Sequence, residues 1–232
     1  MKDYNEQVEN ELNEEVLVVE PSEKLFTRER VMELLKNTLI LFAITFVFGG
    51  ILGVVHAVTL DPITKMEQKV KDDANKAVFS YAASFKEIPV DTEKMKEYFE
   101  GSFDKVDITG VLEAYSSNND LQGYVIEVTS HEGFGGDIVF SIGIMNNGTT
   151  NGISITSISE TVGLGMNAAE VLGPQFIERN AETFVLTKEN AVLDNEIDAI
   201  SSATITSKAV VNGVNASICY FKNVLIGGNG NE

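Results

Sequence analysis

The sequence predicts an α+β fold in which a single N-terminal transmembrane helix precedes a domain built from an antiparallel sheet and packed helices. Residues 38–60 contain no Asp, Glu, Lys or Arg, which is typical of a membrane-spanning helix. Four strand-like segments joined by polar turns follow along the chain, and consecutive strands of this kind favour antiparallel pairing. An apolar pattern of helical period near the C-terminus indicates a helix that covers the sheet.

Composition limits the chemistry that the chain can perform. Its 232 residues, 44% of them hydrophobic, suffice for one domain with a sizeable core and appendages. The formal net charge of −18 argues against binding to nucleic acid or to an anionic lipid surface. The one cysteine, Cys219, excludes an internal disulfide and Cys-rich metal or iron–sulfur sites. With only two histidines as well, we predict no metal site and no catalytic residues, so any redox chemistry requires an organic cofactor.

Residues 1–36 form a polar and acidic segment, with ten Asp and Glu against five Lys and Arg. This composition predicts an N-terminal tail with little order of its own that becomes helical near Arg28. Residues 16–19 are its one apolar run, and they could add a strand to a neighbouring protein. The segment is too long and too acidic for the start of a secretory signal.

Residues 37–60 are predicted to cross the membrane once. At ~1.5 Å per residue, a helix over residues 38–60 spans about 34 Å, which exceeds a hydrocarbon core of roughly 30 Å. A removable signal peptide is the alternative, because residues 53–57 resemble a small-residue cleavage site. Four basic residues stand within about twenty residues of either end of the crossing, so the distribution of positive charge leaves the orientation open.

The domain that follows is predicted over residues 61–226. Asp61 and Pro62 are expected to end the crossing, an amphipathic helix to follow from Ile63 to Phe85, and a short helix to start at an Asp91 cap. The predicted strands cover residues 106–115, 122–129, 137–145 and 152–158. The rest of the chain is predicted to contain a short helix from Ala168, two short strands at 183–186 and 196–201, the final helix and a flexible C-terminal tail at 227–232.

The Ser/Thr cluster at residues 201–207 lies directly before the final helix. Small hydroxyl residues commonly cap a helix start, and the same position is also favourable for a phosphate. The segment 198–207 resembles the flavinylation motif of the FMN-binding domain family that RnfG, of the Rnf electron-transport complex, shares with NqrC, of the sodium-pumping NADH:quinone reductase. The resemblance implies that Thr204 carries FMN through a phosphoester installed by a flavin transferase. Ser202 replaces the usual glycine, which is mild unless its backbone needs φ > 0.

A second segment, Glu160-Thr161-Val162-Gly163-Leu164-Gly165, resembles the Glu-Thr-Pro-Gly-Leu-Gly loop of the same family, with Val162 in place of proline. In the family this loop lines the flavin ring, and a glycine-rich corner at 133–136 lies near the pocket. Lys208 either helps to neutralise the phosphate or is an ordinary exposed helix lysine. The resemblance spans about residues 38–225 and implies these cofactor-binding residues: Thr204 (covalent FMN), Ser201, Ser202, Ala203, Thr206, Ser207, Lys208, Glu160, Thr161, Leu164, Gly165, Met166 and Gly136.

By resemblance, the chain is an electron-carrier subunit of a membrane-bound Rnf complex, which moves electrons between ferredoxin and NAD and couples this to sodium or proton transport. The implied partners are an integral membrane flavin subunit, iron–sulfur subunits and the maturing flavin transferase. The implied topology places residues 1–36 in the cytoplasm and the FMN-binding domain outside. Two alternatives stay open: an NqrC-type subunit, and a membrane-anchored ligand-binding or sensor domain without covalent flavin.

Overall fold

The computed structural model describes residues 27–188 and 190–227. It divides between Pro62 and Ile63 into two compact units. The predicted N-terminal tail lies outside the described residues up to residue 26, as does the predicted C-terminal tail beyond Gly227, so both remain predictions.

The first described element is a single long helix, α1, Arg28–Val78. Pro62 lies inside this helix, so the expectation that Asp61 and Pro62 end one helix and start another is wrong. A proline removes one backbone hydrogen bond and crowds the preceding turn. Beyond Ile63 and Thr64, the chain continues with Lys, Met, Glu and Gln, which are good helix formers, and the helix continues.

Two described helices are long and apolar enough to cross a membrane by length and composition. In α1 no part of the most apolar window is buried by protein, whereas in the C-terminal helix 67% of the corresponding window is buried. An apolar helix without protein cover needs another apolar environment. The N-terminal apolar helix is therefore a membrane anchor.

A six-stranded antiparallel sheet forms the centre of the domain, with the strands in sequence order. The four strands predicted from alternation are confirmed with small shifts at their ends, and the structure adds a short strand at each edge. Their bounds are β1 Ser84–Ile88, β2 Val106–Tyr115, β3 Leu121–Ser130, β4 Ile138–Met145, β5 Thr150–Ile158 and β6 Ile177–Arg179.

Edge strand β1 replaces the predicted end of the amphipathic helix. Residues 84–88 pair in antiparallel register with residues 111–115 of β2. Phe85, the last residue of the predicted helical stripe, is partly buried beside Phe79 and Val125 at this sheet edge instead. Tertiary packing has overridden the local helical pattern.

The remaining elements are helices, helical turns and a two-stranded parallel sheet. Asp91 is the N-cap of α2, where its side chain accepts from the Lys94 backbone N–H at 3.0 Å, as predicted. The elements are α2 Thr92–Phe99, a 3-10 turn Gly165–Asn167, α3 Ala168–Val171, a second 3-10 turn Gly173–Phe176, β7 Val185–Thr187, β8 Glu196–Asp198, α4 Thr204–Tyr220 and a π-helical turn Phe221–Ile226.

The sheet is covered on both faces. On one face α4 packs against fully buried side chains of β3 and β4, including Ile126, Phe140 and Ile142, in the main core. On the other face the end of α1 inserts Val78 and Phe79 against Ala114 and Val125.

The packing of α1 on this second face of the sheet depends on a glycine and on one ion pair. A Cβ at Gly123 would lie 2.8 Å from the Phe79 ring, so only glycine leaves room for that side chain. Lys71 of α1 meets Glu127 of β3 at 2.9 Å, and the Glu127 side chain is only 12% exposed. The last turns of α1 are thereby fixed to the sheet by packing and by charge.

Candidate functional site

The start of α4 is organised by Ser207, which lies in the first turn of the helix. Its buried hydroxyl accepts a hydrogen bond from the Ile200 backbone N–H at 2.9 Å and donates to the Ala203 carbonyl at 3.0 Å. These two bonds hold the turn that leads into the helix. The N-cap position is Ala203, whose side chain cannot cap.

The Ser/Thr cluster is therefore not an ordinary helix cap. No side-chain hydrogen bond caps α4, although several hydroxyls stand close to its start. The first backbone N–H groups of a helix have no partner within the helix and carry a partial positive charge. Thr204, the first helical residue, is exposed at this end, so an anion attached to its hydroxyl would meet uncapped N–H groups.

Ser202, two residues before Thr204, adopts φ +63°. This left-handed conformation is one that residues with a side chain seldom adopt. The position where the resemblance expects glycine thus does need φ > 0, and the replacement by serine is not mild.

A cleft of about 500 Å³ lies beside the start of α4. Its walls come from three segments: the glycine-rich loop after β3, the loop after β5, and the first turn of α4 with the residues before it. The residues that line it are Phe134, Glu160, Thr161, Leu164, Gly165, Ser202, Ala203, Thr204, Ile205 and Thr206.

Glu160 joins two of these walls. Its Oε1 atom accepts from the backbone N–H groups of Phe134, at 2.7 Å, and of Gly135, at 3.3 Å. A Cβ at Gly135 would lie 2.0 Å from the Ser159 carbonyl oxygen, so the loop can approach this closely only as glycine. Glu160 itself is 8% exposed.

Gly165 brings the loop after β5 against α4. A Cβ there would lie 2.6 Å from Thr206 Oγ1 and 2.8 Å from Glu160 Cβ. The Thr161 carbonyl accepts from the Leu164 and Met166 backbone N–H groups, at 3.1 and 3.2 Å, which closes the loop on itself. The two segments identified in the sequence therefore pack directly against each other.

The structure brings most of the predicted site residues to this cleft. Those that line it are Thr204, Ser202, Ala203, Thr206, Glu160, Thr161, Leu164 and Gly165. The other predicted residues do not line it: Ser201 and Gly136 are exposed, Ser207 is buried behind the turn, Met166 lies in the 3-10 turn, and Lys208 lines another cavity.

Phe134 and Ile205 line the cleft but were not among the predicted residues. Phe134 is 71% exposed and Ile205 is 53% exposed, which is unusual for such large apolar side chains. The available signal was an aromatic residue inside a glycine run, and an isoleucine that interrupts a run of hydroxyl residues.

A neighbouring cavity of about 320 Å³ is lined by Lys105, His131 and Lys208, among others. The His131 ring lies between Asp137, with Nδ1 to Oδ1 at 2.8 Å, and Asp107, with Nε2 to Oδ2 at 3.1 Å. The hydrogen bonds to Asp137 and then to Asp107 raise the pKa of His131 above its ordinary value. Because His131 follows β3 and Asp137 precedes β4, the contact between His131 and Asp137 closes the base of the glycine-rich loop.

The fold and the cleft define an FMN-binding domain. The family described as "FMN-binding domain" matches residues 133–218, a range that contains all three walls of the cleft. The cleft suits such a group, because its volume is that of a small-molecule site and its lining combines apolar side chains with an uncapped helix start.

Two curated relatives then specify the family. The chain is 35% identical over 197 residues to the G subunit of the Na(+)-translocating ferredoxin:NAD(+) oxidoreductase complex of Acetobacterium woodii, covering 82% of this chain and 92% of the relative. It is 27% identical over 186 residues to the G subunit of the proton-translocating ferredoxin:NAD(+) oxidoreductase complex of Clostridium ljungdahlii, covering 77% and 90%. The chain belongs to the RnfG family of ion-translocating oxidoreductase complexes.

A solved structure of NqrC from Shewanella oneidensis is also similar, with a TM-score of 0.42 and 17% identity over 49% of this chain and 57% of that one. This similarity is too low to support an inference. The identity to the two RnfG relatives favours RnfG over the NqrC-type alternative.

Proposed function

We propose that this chain is the subunit of a membrane-bound Rnf complex that relays electrons through FMN attached by a phosphoester to Thr204. The observation that supports this most directly is that Thr204, an exposed residue at a helix start without a side-chain cap, lines the cleft. Bound FMN can take up and release one or two electrons, and its covalent attachment prevents its loss between turnovers.

The residues of the chain have separate parts in holding this group. The first turn of α4 offers backbone N–H groups and its partial positive charge to the phosphate. Lys208 follows Thr204 by one helical turn, so its ammonium can approach the phosphate from the same side of α4. Leu164, Ile205 and Phe134 offer apolar surface to a flat ring.

The wider assignment follows from the resemblance and the relatives. The complex would transfer electrons between reduced ferredoxin and NAD and couple this to sodium or proton translocation, with an integral membrane flavin subunit and iron–sulfur subunits as neighbours and a flavin transferase for maturation. Residues 1–36 would be cytoplasmic, 37–60 would span the membrane once, 61–226 would form the extracytoplasmic FMN-binding domain, and 227–232 would be a flexible tail. The subunit itself would perform no substrate chemistry.

The attachment is tested by in-gel fluorescence of the full-length protein from a host that has the flavin transferase. We expect a fluorescent band for the wild type after denaturation and a dark band for Thr204→Val. Thr206→Val is the matched control, because Thr206 lies in the same helical turn and also lines the cleft. A fluorescent Thr204→Val band would refute attachment at Thr204, because the flavin would then be held by another residue. A dark wild-type band, with a Thr204 peptide of unmodified mass, would refute covalent attachment and would favour the sensor-domain alternative.

A further inference from the structure

Glu160 is a buried carboxylate without a positively charged partner. It lines the cleft, it is 8% exposed, and no ion pair to it is found within residues 27–188 and 190–227. Its hydrogen-bond donors are two backbone N–H groups, those of Phe134 and Gly135, and both go to Oε1. The second oxygen lies beside Gly165, where an added Cβ would be 3.0 Å from Oε2 and 2.6 Å from Thr206 Oγ1 in the first turn of α4.

The position of this carboxylate gives it two separable effects. Its hydrogen bonds keep the glycine-rich loop against the loop after β5, so the shape of the cleft depends on its length. Its charge lies in a partly enclosed site, where water screens electrostatic interactions less than in bulk solvent. A fixed negative charge beside a redox group opposes the arrival of an electron, and this lowers the reduction potential.

We infer that Glu160 is a positioning residue that holds the walls of the cleft together and, through its charge, lowers the reduction potential of the bound flavin. The part that concerns the potential rests on the proposed function. The part that concerns the walls does not, because it refers to contacts of the chain alone. No bond to Glu160 forms or breaks when an electron arrives.

The charge is tested with Glu160→Gln in the full-length, flavin-loaded protein by spectroelectrochemistry. Glutamine keeps an oxygen that can accept from Phe134 and Gly135, so the cleft should keep its shape while the charge is lost. We expect the equilibrium constant for one-electron reduction to rise about tenfold, which is about 59 mV. Glu132→Gln is the matched control, because Glu132 accepts from Asn212 Nδ2 at 2.6 Å and lines the neighbouring cavity instead.

Glu160→Asp separates charge from length. It keeps the charge but is one methylene shorter, so we expect a potential close to that of the wild type together with faster amide exchange at Phe134 and Gly135. An unchanged potential in Glu160→Gln, an equal shift in Glu132→Gln, or the same shift in Glu160→Asp would overturn the inference about charge.

The positioning role can be measured without flavin. In a Thr204→Val background, hydrogen exchange of the Phe134 and Gly135 amides should stay slow with Glu160→Gln and become fast with Glu160→Asp. Fast exchange in the protein with Glu160 intact would overturn this part. Because fluorescence reports separately whether flavin is attached, failure of the proposed function can be told apart from failure of this inference.

Discussion

Ser202→Gly is expected to stabilise the domain, although it removes a side chain beside the site. Ser202 is exposed and has φ +63°, a region that costs a residue with a side chain about 1–2 kcal/mol. Glycine adopts this conformation without that cost, but it loses about 0.5–1 kcal/mol through its greater freedom in the unfolded chain. The difference between the middle values of these two ranges predicts a gain of about 0.75 kcal/mol in the free energy of unfolding.

Thermal unfolding of the flavin-free protein measures this gain. For a domain of this size, a gain of this order raises Tm by about 1–4 °C. The adjacent Ser201 is also exposed but has no positive φ, so Ser201→Gly keeps only the entropic cost and should lower Tm. If both substitutions lower Tm, the argument from backbone strain is refuted.

Three further predictions concern other buried or charged groups of the domain. The hydroxyl of Ser130 is buried without a hydrogen-bond partner in the part of the chain that the structure describes, so Ser130→Ala should raise the free energy of unfolding by about 1 kcal/mol in chemical denaturation; a decrease would reveal an undetected partner. Because the pKa of His131 is raised, its contribution to stability is fully present below about pH 6.5 and is lost as pH rises through the folded-state pKa. His131→Gln should therefore flatten the dependence of Tm on pH in that range. An unchanged slope would contradict this. Gly165→Ala should lower stability by about 1–3 kcal/mol and reduce flavin loading, seen as weaker in-gel fluorescence, because the new methyl meets Thr206 and Glu160; full loading at wild-type Tm would show that the wall can yield.

The sheet could be predicted from the sequence because its signal is local. The residues Ile138, Phe140, Ile142 and Ile144 alternate along β4 and all point into the core, and polar turns separate the strands. The continuation of α1 through Pro62 could not be predicted in the same way, because a proline in a helix interior usually breaks or kinks the helix. Strand β1 needed a partner from residues 111–115, which no local pattern reveals.

The site was predictable to the extent that it consists of two contiguous motifs. The loop after β5 and the start of α4 contain the predicted residues that line the cleft, whereas Phe134 comes from a third segment that is distant in the sequence. Its placement depends on the Glu160 side chain, which accepts from the Phe134 and Gly135 backbone. A contact between a side chain and a distant backbone group produces no periodic pattern in the sequence. The sequence therefore indicates the residue types but not which side chain contacts which backbone group.

The same reasoning explains why a run of hydroxyl residues was ambiguous. Composition alone cannot distinguish a serine that caps a helix from one that folds back to hold the preceding turn, because both are short donors and acceptors. In this chain Ser207 bonds to Ile200 and Ala203, and an alanine occupies the N-cap. The turn before α4 is therefore held by the hydrogen bonds of the buried Ser207 and not by a side chain at the N-cap. Thr204 lines the cleft at a helix start whose first N–H groups have no partner within the helix, so a phosphoester at this residue would lie next to them.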